Sequence, residues 1–263
     1  MNIIRKTAID LAYIFLPSLY KRRFYKKLYG LTLDNVKTRN VEFEFLLLSR
    51  FLQKDSIFFD IGVNKGSYLY QANQFIPEEN IYGFEPHPVL YKKIKHLFPN
   101  AQVFNLALSD VQGVLKFKVP YIGKRESTGR GTLNINYKEP EETSCKIFDV
   151  QVDTLDNFIE EHKVEKLDFL KIDVEGAELN VIKGGRNSLL KFKPVMLVEV
   201  EERHHNNLIW NIIQPILELG YKVFYLDRET IELKPFTQET PLRQDISEMN
   251  NKEEYINNFI FLP

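Results

Sequence analysis

The first residues that could do chemistry lie where a short apolar run meets an acid and two glycines. Residues 56–66 read Ser-Ile-Phe-Phe-Asp-Ile-Gly-Val-Asn-Lys-Gly, with Asp60, Gly62 and Gly66 as fixed points. Such a run is typical of a strand buried in a parallel sheet. Gly62 permits a tight turn with a ligand close to the backbone, and Gly66 permits the next helix to pack close. The pattern predicts a strand, a turn and a helix whose first N–H groups face a nucleotide-like ligand.

The charge of Asp60 separates two classes of ligand. The spacing is D-x-G-x-x-x-G and lacks the third glycine of the dinucleotide-binding pattern. A carboxylate at this place would repel a pyrophosphate, but it would attract the ammonium group of S-adenosylmethionine. An ordinary buried strand with a glycine turn is the alternative for this segment taken alone.

A second acid follows at the distance expected of a ribose-binding residue. Residues 80–85 predict a strand that ends in Glu85, 25 positions after Asp60. In nucleotide-binding α/β folds, a carboxylate about 20 residues after the glycine turn accepts hydrogen bonds from the ribose hydroxyls. The alternative is a carboxylate that stabilises the N-terminus of the following helix, and the two roles are compatible.

More acids and two histidines follow two later predicted strands, residues 167–172 and 194–200. The candidates are Asp173, Glu199, His204 and His205. Asp173, Glu199 or His204 could accept a proton from a weak nucleophile, and Asp173 with Glu199 could bind Mg²⁺. A polar helix start is the alternative for each histidine, and Glu175 could stabilise the start of the next helix.

Alternating strand and helix patterns must position these groups. They predict an α/β fold with a doubly wound sheet, which brings the carboxyl ends of its parallel strands to one edge. Residues 120–146 are polar and aperiodic, and they predict a long substrate loop. Arg125 and Arg130 in this loop could bind a carboxylate or a phosphate, or could belong to a solvated surface loop.

Composition bounds the class of protein. The 263 residues suit one large domain, and 44% hydrophobic with 27% charged residues is typical of a globular protein with a sizeable core. A formal net charge of -1 does not favour a general nucleic-acid binder. A single cysteine, Cys145, excludes an intramolecular disulfide and a multi-cysteine zinc site, and it favours a cytoplasmic location.

Residues 1–30 differ from the rest because they hold seven lysines and arginines against one aspartate, a charge of +6. Their apolar run, residues 9–16, is short and interrupted by Asp10, so neither a membrane-spanning helix nor a signal peptide is expected. A helical segment that packs on the main domain is the favoured interpretation. Peripheral contact with an anionic membrane surface is the alternative.

Four blocks together resemble one known family. They are residues 59–66 (Phe-Asp-Ile-Gly-Val-Asn-Lys-Gly), 83–88 (Gly-Phe-Glu-Pro-His-Pro), 105–110 (Asn-Leu-Ala-Leu-Ser-Asp) with Gly113, and 153–156 (Asp-Thr-Leu-Asp) leading to 171–178 (Lys-Ile-Asp-Val-Glu-Gly-Ala-Glu). In this order and spacing, residues 40–200 resemble the FkbM family of S-adenosylmethionine-dependent methyltransferases. The family usually has alanine where this chain has Val63.

The resemblance implies a Rossmann-like class I methyltransferase fold, with a seven-stranded, mostly parallel sheet whose last strand is antiparallel. Residues 1–40 would form a helical extension, and 41–263 the methyltransferase domain. It implies methyl transfer from S-adenosylmethionine to a hydroxyl, here expected on a sugar of a glycan or polysaccharide. By position, the implied cofactor-binding residues are Asp60, Gly62, Asn64 and Gly66 at the methionine end, Glu85 at the ribose, Asn105 and Ala107 at the adenine, and Asp173 beside the methyl group.

Other functions compete with this one. A base-modifying methyltransferase usually has a D/N-P-P-aromatic run after the fourth strand, and residues 173–176 are Asp-Val-Glu-Gly instead. A nicotinamide oxidoreductase is disfavoured by the missing third glycine. A non-catalytic scaffold that kept the pocket, or a methyltransferase for a small molecule other than a sugar, remain alternatives.

Overall fold

The fold alternates strands and helices along most of the chain, in a computed structural model that describes residues 11–205, 208–240, 244 and 255–263. The strands are β1 (Phe58–Ile61), β2 (Ile81–Phe84), β3 (Gln102–Phe104), β4 (Ala107–Ser109), β5 (Gly113–Ile122), β6 (Arg125–Glu126), β7 (Glu142–Thr154), β8 (Phe169–Ile172), β9 (Val195–Glu199), β10 (Lys222–Asp227), β11 (Glu232–Pro235) and β12 (Asn258–Leu262). The α-helices, besides the helical residues 11–15, are α1 (Pro17–Phe24), α2 (Leu33–Arg39), α3 (Leu47–Phe51), α4 (Ser67–Ala72), α5 (Pro88–Leu97), α6 (Leu155–Glu161), α7 (Glu178–Gly184), α8 (Arg186–Phe192) and α9 (Ile209–Leu217).

The main sheet has the strand order β11-β10-β12-β9-β8-β1-β2-β3. Strands β3, β2, β1, β8 and β9 are parallel, and β12 lies antiparallel between β9 and β10. The predicted Rossmann-like sheet with an antiparallel last strand is therefore confirmed, and the carboxyl ends of β1, β2, β8 and β9 meet at one edge.

The predicted number of seven strands is wrong, because the main sheet has eight. The additional strand β11 pairs antiparallel with β10 at the edge of the sheet. A short turn joins them, in which the Asp227 carboxylate accepts hydrogen bonds from the N–H groups of Glu229 (3.1 Å) and Thr230 (2.8 Å). Strand β11 is only four residues long and has exposed ends, so it carries no clear apolar alternation that a sequence pattern could reveal.

A second sheet, of order β4-β7-β5-β6, replaces much of the predicted loop at residues 120–146. Strand β5 continues to Ile122 and β7 begins at Glu142, so only residues 127–141 remain largely irregular. The prediction of a loop over the whole stretch was wrong because residues 143–146 are exposed on both faces of the hairpin. A strand exposed on both faces has no need of alternating apolar side chains.

The N-terminal segment packs on the domain through two buried side chains, Tyr25 and Leu28. The Tyr25 hydroxyl donates to the carbonyl of Lys65 at 2.6 Å, within the turn that follows β1. The segment therefore contacts and stabilises the glycine turn after β1. Residues 1–10 lie outside the described part of the chain. Among the described residues, every helix is too short or too polar to cross a bilayer.

Candidate functional site

A pocket opens at the carboxyl edge of the main sheet, where the ends of β1, β2 and β8 meet β4 and residues 127–133. It encloses about 560 Å³, counting space that is open to solvent, which is within the range of small-molecule sites. Its walls are formed by Ile61, Gly62, Asn64, Phe84, Glu85, Pro86, Leu106, Ala107, Leu108, Phe117, Thr128, Gly129, Gly131, Leu133, Asp173, Val174 and Glu175. We call it the donor pocket.

The turn after β1 requires glycine at position 62, because its dihedral angle and its close neighbours both disfavour a side chain. Gly62 has φ +90°, and a Cβ atom there would lie 1.8 Å from the backbone oxygen of Asp173. Strands β1 and β8 can approach this closely only because that side chain is missing. Asn64 follows with φ +50°, and its buried Oδ1 has no hydrogen-bond partner. Since Asn64 lines the pocket, this acceptor is available to a ligand.

Glu85 lies at the pocket wall with its carboxylate held by two backbone groups. Its Oε2 accepts from the N–H of Asn64 at 2.6 Å, and its Oε1 accepts from the N–H of His87 at 2.8 Å. Burial raises the pKa of Glu85 to about 8, and the two backbone donors only partly oppose this effect. Each carboxylate oxygen keeps a second lone pair that can accept from a ligand hydroxyl.

Asp60 lies behind the pocket wall and is not part of its lining. It is 1% exposed, and its Oδ1 lies 3.5 Å from the Nζ of Lys171, its register partner on β8. Both carboxylate oxygens lack an aligned hydrogen-bond donor, and burial raises the pKa of Asp60 to about 6 although Lys171 opposes this. The family resemblance implied that Asp60 contacts the methionine end of the cofactor. In the structure its side chain lies beside Lys171 and outside the pocket lining.

The other residues predicted to contact the cofactor divide in the same way. Ala107 lines the pocket beside Leu106 and Leu108, which gives an apolar slot. Asn105 faces the loop instead, where its Nδ2 donates to the carbonyls of Glu85 (2.9 Å) and Pro86 (2.8 Å). Gly66 caps helix α4 with φ +77°, and a Cβ atom there would lie 2.8 Å from both the Tyr25 hydroxyl and Ile94.

The three residues predicted to be catalytic are not brought together. Asp173 lines the donor pocket, and its Oδ2 accepts from Lys171 Nζ at 2.9 Å. Glu199 lines a second cavity of about 600 Å³. His204 is buried, with its Nε2 3.1 Å from the Oε2 of Glu175. Only Asp173 of the three therefore reaches the donor pocket directly.

The second cavity lies at the carboxyl end of β9, and we call it the acidic cavity. Its lining is Val41, Glu42, Phe43, Glu199, Glu201, Arg228, Tyr255, Asn257 and Asn258. Burial raises the pKa of Glu199 well above its usual range, and the neighbouring Asp173 and Glu175 raise it further. The pKa of Glu42 is also raised by burial. The cavity therefore offers two carboxyl groups, Glu42 and Glu199, whose protonated form is favoured by burial.

Glu175 is a pocket residue that the sequence analysis did not place at the site. It has φ +52° and the following Gly176 has φ +97°, so two successive residues lie in the left-handed region. A non-glycine residue in that region stores strain, which is common at functional sites. The Val-Glu-Gly sequence after β8 was the available signal, but it was interpreted only as the start of helix α7.

A predicted Mg²⁺ pair of Asp173 and Glu199 is not supported by the geometry. The Oδ2 of Asp173 is taken by Lys171, and the Oε1 of Glu199 accepts from the Nδ2 of Asn257 at 2.8 Å. The group with metal-ligand spacing among the described residues is a different one, Glu139, Glu175 and His204.

The donor pocket fits the adenosyl group and the cationic end of S-adenosylmethionine. The Glu85 carboxylate suits ribose hydroxyls, the slot at Leu106–Leu108 suits an adenine ring, and the unpartnered Oδ1 of Asn64 suits an ammonium donor. Residues 128–131 close over this end, since a Cβ atom on Gly129 would lie 3.0 Å from the Nδ2 of Asn64.

The chain is similar to a family of methyltransferases and to named relatives. A family model described as Methyltransferase FkbM domain matches residues 60–223. The chain is 30% identical over 156 residues to 2-O-methyltransferase NoeI of Sinorhizobium fredii, a match that covers 55% of this chain and 63% of NoeI. It is 27% identical over 147 residues to hexuronic acid methyltransferase AglP of Haloferax volcanii, covering 54% of this chain and 55% of AglP. The chain thus spans less than two thirds of the length of either relative.

A solved structure supports the fold. The crystal structure of methyltransferase FkbM from Methylobacillus flagellatus superposes with a TM-score of 0.50 at 12% identity, covering 80% of this chain and 44% of that one. The family model covers more than half of the 263 residues, and its match begins at Asp60, the acid at the end of β1. This chain belongs to the FkbM methyltransferase family.

Proposed function

We propose that the protein is an S-adenosylmethionine-dependent O-methyltransferase that acts on a sugar hydroxyl. Membership of the FkbM family supports the reaction class. The names of two relatives, a 2-O-methyltransferase and a hexuronic acid methyltransferase, support a hydroxyl and a sugar acid as acceptor chemistry. The observation that carries the proposal is the buried Glu85 carboxylate at the wall of a pocket closed by the Gly62 turn.

When bound, S-adenosylmethionine supplies a methyl group on a positively charged sulfur, which is open to in-line attack. The chain must orient the acceptor oxygen and accept its proton. Asp173 suits the second task because its carboxylate lines the pocket and is 25% exposed. Burial would lower the pKa of Lys171, but Asp173 and Asp60 raise it above its usual value, so a cation holds the Asp173 carboxylate in place.

Two other carboxyl groups are less suited to accept that proton. Burial raises the pKa values of Glu175 and Glu199 well above their usual range, with Asp173 as the next contributor for each. Both carboxyl groups therefore favour the protonated form more than an ordinary glutamate does. We assign acceptance of the hydroxyl proton to Asp173. We assign binding of the acceptor molecule to Glu199.

The acidic cavity supports a sugar as the acceptor. Carboxyl and amide groups suit hydroxyl-rich ligands because each can donate or accept, and Tyr255 adds an aromatic surface. The Oδ1 of Asn258 is buried there without a partner. The position of this cavity next to Asp173 follows from β8 and β9 being adjacent parallel strands.

Calorimetry with S-adenosylhomocysteine, the demethylated product, tests the donor pocket. At a pH above about 8, where Glu85 is ionised, we expect Glu85→Gln to weaken binding about 10- to 100-fold, because a charged acceptor is lost. Glu199→Gln is the matched control, since it changes the same group in the acidic cavity and should leave this affinity unchanged. Equal effects of the two variants would contradict the assignment.

Transfer of labelled methyl groups to a panel of hydroxylated acceptors then tests the reaction. Methylation of uronic acids or neutral sugars would support the proposal. Exclusive methylation of non-sugar hydroxyls would contradict the sugar acceptor and favour a methyltransferase for another kind of small molecule. Binding of the product without transfer to any acceptor would favour a non-catalytic scaffold.

The N-terminal segment provides a separate proposal, peripheral contact with an anionic membrane. Phe15, Leu16 and Leu19 are 71%, 56% and 58% exposed, across the end of the helical residues 11–15 and the start of α1. Arg22 and Arg23 follow within α1 and are also exposed. Apolar side chains beside basic ones are typical of helices that lie on such surfaces. Sedimentation with phosphatidylserine vesicles tests this, and Phe15→Ser/Leu19→Ser with unchanged vesicle binding would contradict it.

A further inference from the structure

Three ligand-type side chains converge beside the donor pocket from distant parts of the sequence. Glu139 lies in the segment before β7, Glu175 follows β8, and His204 follows β9. One ligand atom of each lies within 4.8 Å of the others. We call this group the Glu–Glu–His cluster. Of its members, Glu175 also lines the donor pocket.

Among the described residues, the imidazole of His204 points into this cluster without a hydrogen-bond partner for its Nε2. Its side chain is 4% exposed, and its Nε2 lies 3.1 Å from the Oε2 of Glu175 and 3.5 Å from the Oε1 of Glu139. Neither contact has the alignment of a hydrogen bond, so in the described part of the chain Nε2 is a buried nitrogen within ion-pair distance of two carboxylates but without a hydrogen bond. Such an atom costs free energy unless something else satisfies it.

The carboxylate of Glu139 is held from outside the cluster. Its two oxygens lie 3.0 and 2.7 Å from the NH1 of Arg203, and Oε2 lies 3.2 Å from the NH1 of Arg130. The carbonyl of Glu175 accepts from the Thr132 hydroxyl at 2.6 Å. Outer partners of this kind are what orient the ligands of a metal ion.

The two arginines do not balance the negative charge around the cluster. The side chains of Glu139, Glu175 and Glu201 lie within 4 Å of Arg203. A second guanidinium group, that of Arg130, lies 3.2 Å from Glu139. Three carboxylates therefore face two guanidinium groups. A bound cation would supply the missing positive charge.

We propose that Glu139, Glu175 and His204 bind one divalent transition-metal ion, of the Mn²⁺ or Zn²⁺ type, at the wall of the donor pocket. An imidazole with two carboxylates favours these ions over Mg²⁺ and Ca²⁺, which prefer oxygen ligands alone. With Glu139 Oε1 as ligand, that oxygen would give up its 3.0 Å contact with Arg203, while Oε2 would keep its contacts with both arginines. If the proposed function holds, the ion would polarise the acceptor hydroxyl and ease loss of its proton to Asp173.

Metal binding can be measured without donor or acceptor. The full chain is treated with a chelator and dialysed, Mn²⁺ is added, and free Mn²⁺ is followed by electron paramagnetic resonance. We expect one ion per chain, and at least tenfold weaker binding in His204→Asn and in Glu139→Gln. His205→Asn is the matched control, because that neighbouring histidine pairs with Glu178 at 2.9 Å outside the cluster. It should bind Mn²⁺ as the unchanged protein does.

Circular dichroism and S-adenosylhomocysteine binding show whether each variant is folded. If both variants fail to fold, pulsed resonance on the unchanged protein decides, because a directly bound imidazole gives a nitrogen coupling to Mn²⁺. No tight Mn²⁺ or Zn²⁺ binding, no nitrogen coupling, or equal binding by folded His204→Asn would each overturn the metal site. If the unchanged protein bound the metal ion but did not bind S-adenosylhomocysteine, the proposed function would be wrong and the metal site would stand.

Discussion

The carboxyl edge of the sheet has two halves that are built differently. The donor half comprises the ends of β1 and β2, where the carboxylate of Glu85 is held by the backbone N–H groups of Asn64 and His87. The acidic half comprises the ends of β8 and β9. There Asp173 is held by the Lys171 side chain, and neighbouring carboxylates raise the pKa values of the buried Glu175 and Glu199 further. In the donor half, binding groups are positioned by local backbone, and in the acidic half by side chains from distant segments.

This difference matches two tasks. A donor of fixed chemistry needs a rigid shape, which backbone groups and glycines provide. Proton transfer needs carboxyl groups in different ionisation states, and buried acids that interact with one another separate their pKa values. The acidic half places a cation-paired Asp173 between two acids whose pKa values are raised. The two halves should therefore respond to different substitutions.

Substitution of Asp173 by asparagine should give the largest effect and should affect the acidic half alone. We expect the rate of methyl transfer to fall about 10²- to 10⁴-fold, the range for loss of a general base. Asparagine keeps an oxygen for Lys171, so the affinity for S-adenosylhomocysteine should change less than threefold, within about 0.7 kcal/mol. Single-turnover kinetics and calorimetry measure the two quantities. Full activity of the variant would place the proton acceptor elsewhere.

Substitution of Gly62 should break the boundary between the halves, because its Cβ would meet the backbone of Asp173 at 1.8 Å. We expect Gly62→Ala to lower the free energy of unfolding by about 2–5 kcal/mol, from conformational strain and overpacking together. Gly30→Ala is the control, since Gly30 has φ +59° and nothing within 4 Å of the added Cβ. It should cost about 1–2 kcal/mol. Urea unfolding compares them, and equal losses would show that the close approach is unimportant.

The donor half could be predicted further from sequence than the acidic half, for a physical reason. Gly62, Asn64 and Glu85 lie within 24 consecutive residues, and the chemistry of each is expressed in a local strand and turn. Glu139 and His204 come together only after β7, β8 and β9 are in place, so no spacing along the chain reveals their contact. The sheet order was predictable for similar reasons, whereas the hairpin of β5 and β7 was hidden by its exposed faces.

Asp60 shows the limit of positional inference within the donor half. The motif placed it at the ligand, but alternation along β1 turns its side chain to the face where Lys171 and the Tyr68 ring lie. Ile61, the next residue and the last of β1, points to the opposite face and lines the pocket. A motif identifies which residues belong to a site, but the strand period decides which of them face the ligand.

The pH dependence of donor binding should sharpen the comparison with a smaller effect. Burial raises the pKa of Glu85 to about 8 in the folded protein, while ribose hydroxyls would bind its ionised form. S-adenosylhomocysteine affinity should therefore increase as pH rises from 6 to 8, by at most tenfold per unit for one proton released, and level off above that. Calorimetry should show a much flatter profile in Glu85→Gln. Parallel profiles would place the linked proton on another group, such as Asp60.

Stability without ligand should change in the opposite direction, which makes the pair of measurements decisive. A carboxyl group whose folded pKa exceeds its unfolded value of 4.5 contributes its stability below that pH, and loses it as pH rises through about 8. The unchanged protein should lose stability relative to Glu85→Gln across this window, at up to about 1.4 kcal/mol per unit. Ligand affinity that rises while stability falls would assign both effects to one buried carboxyl group. Two trends of the same sign would require a different residue for each.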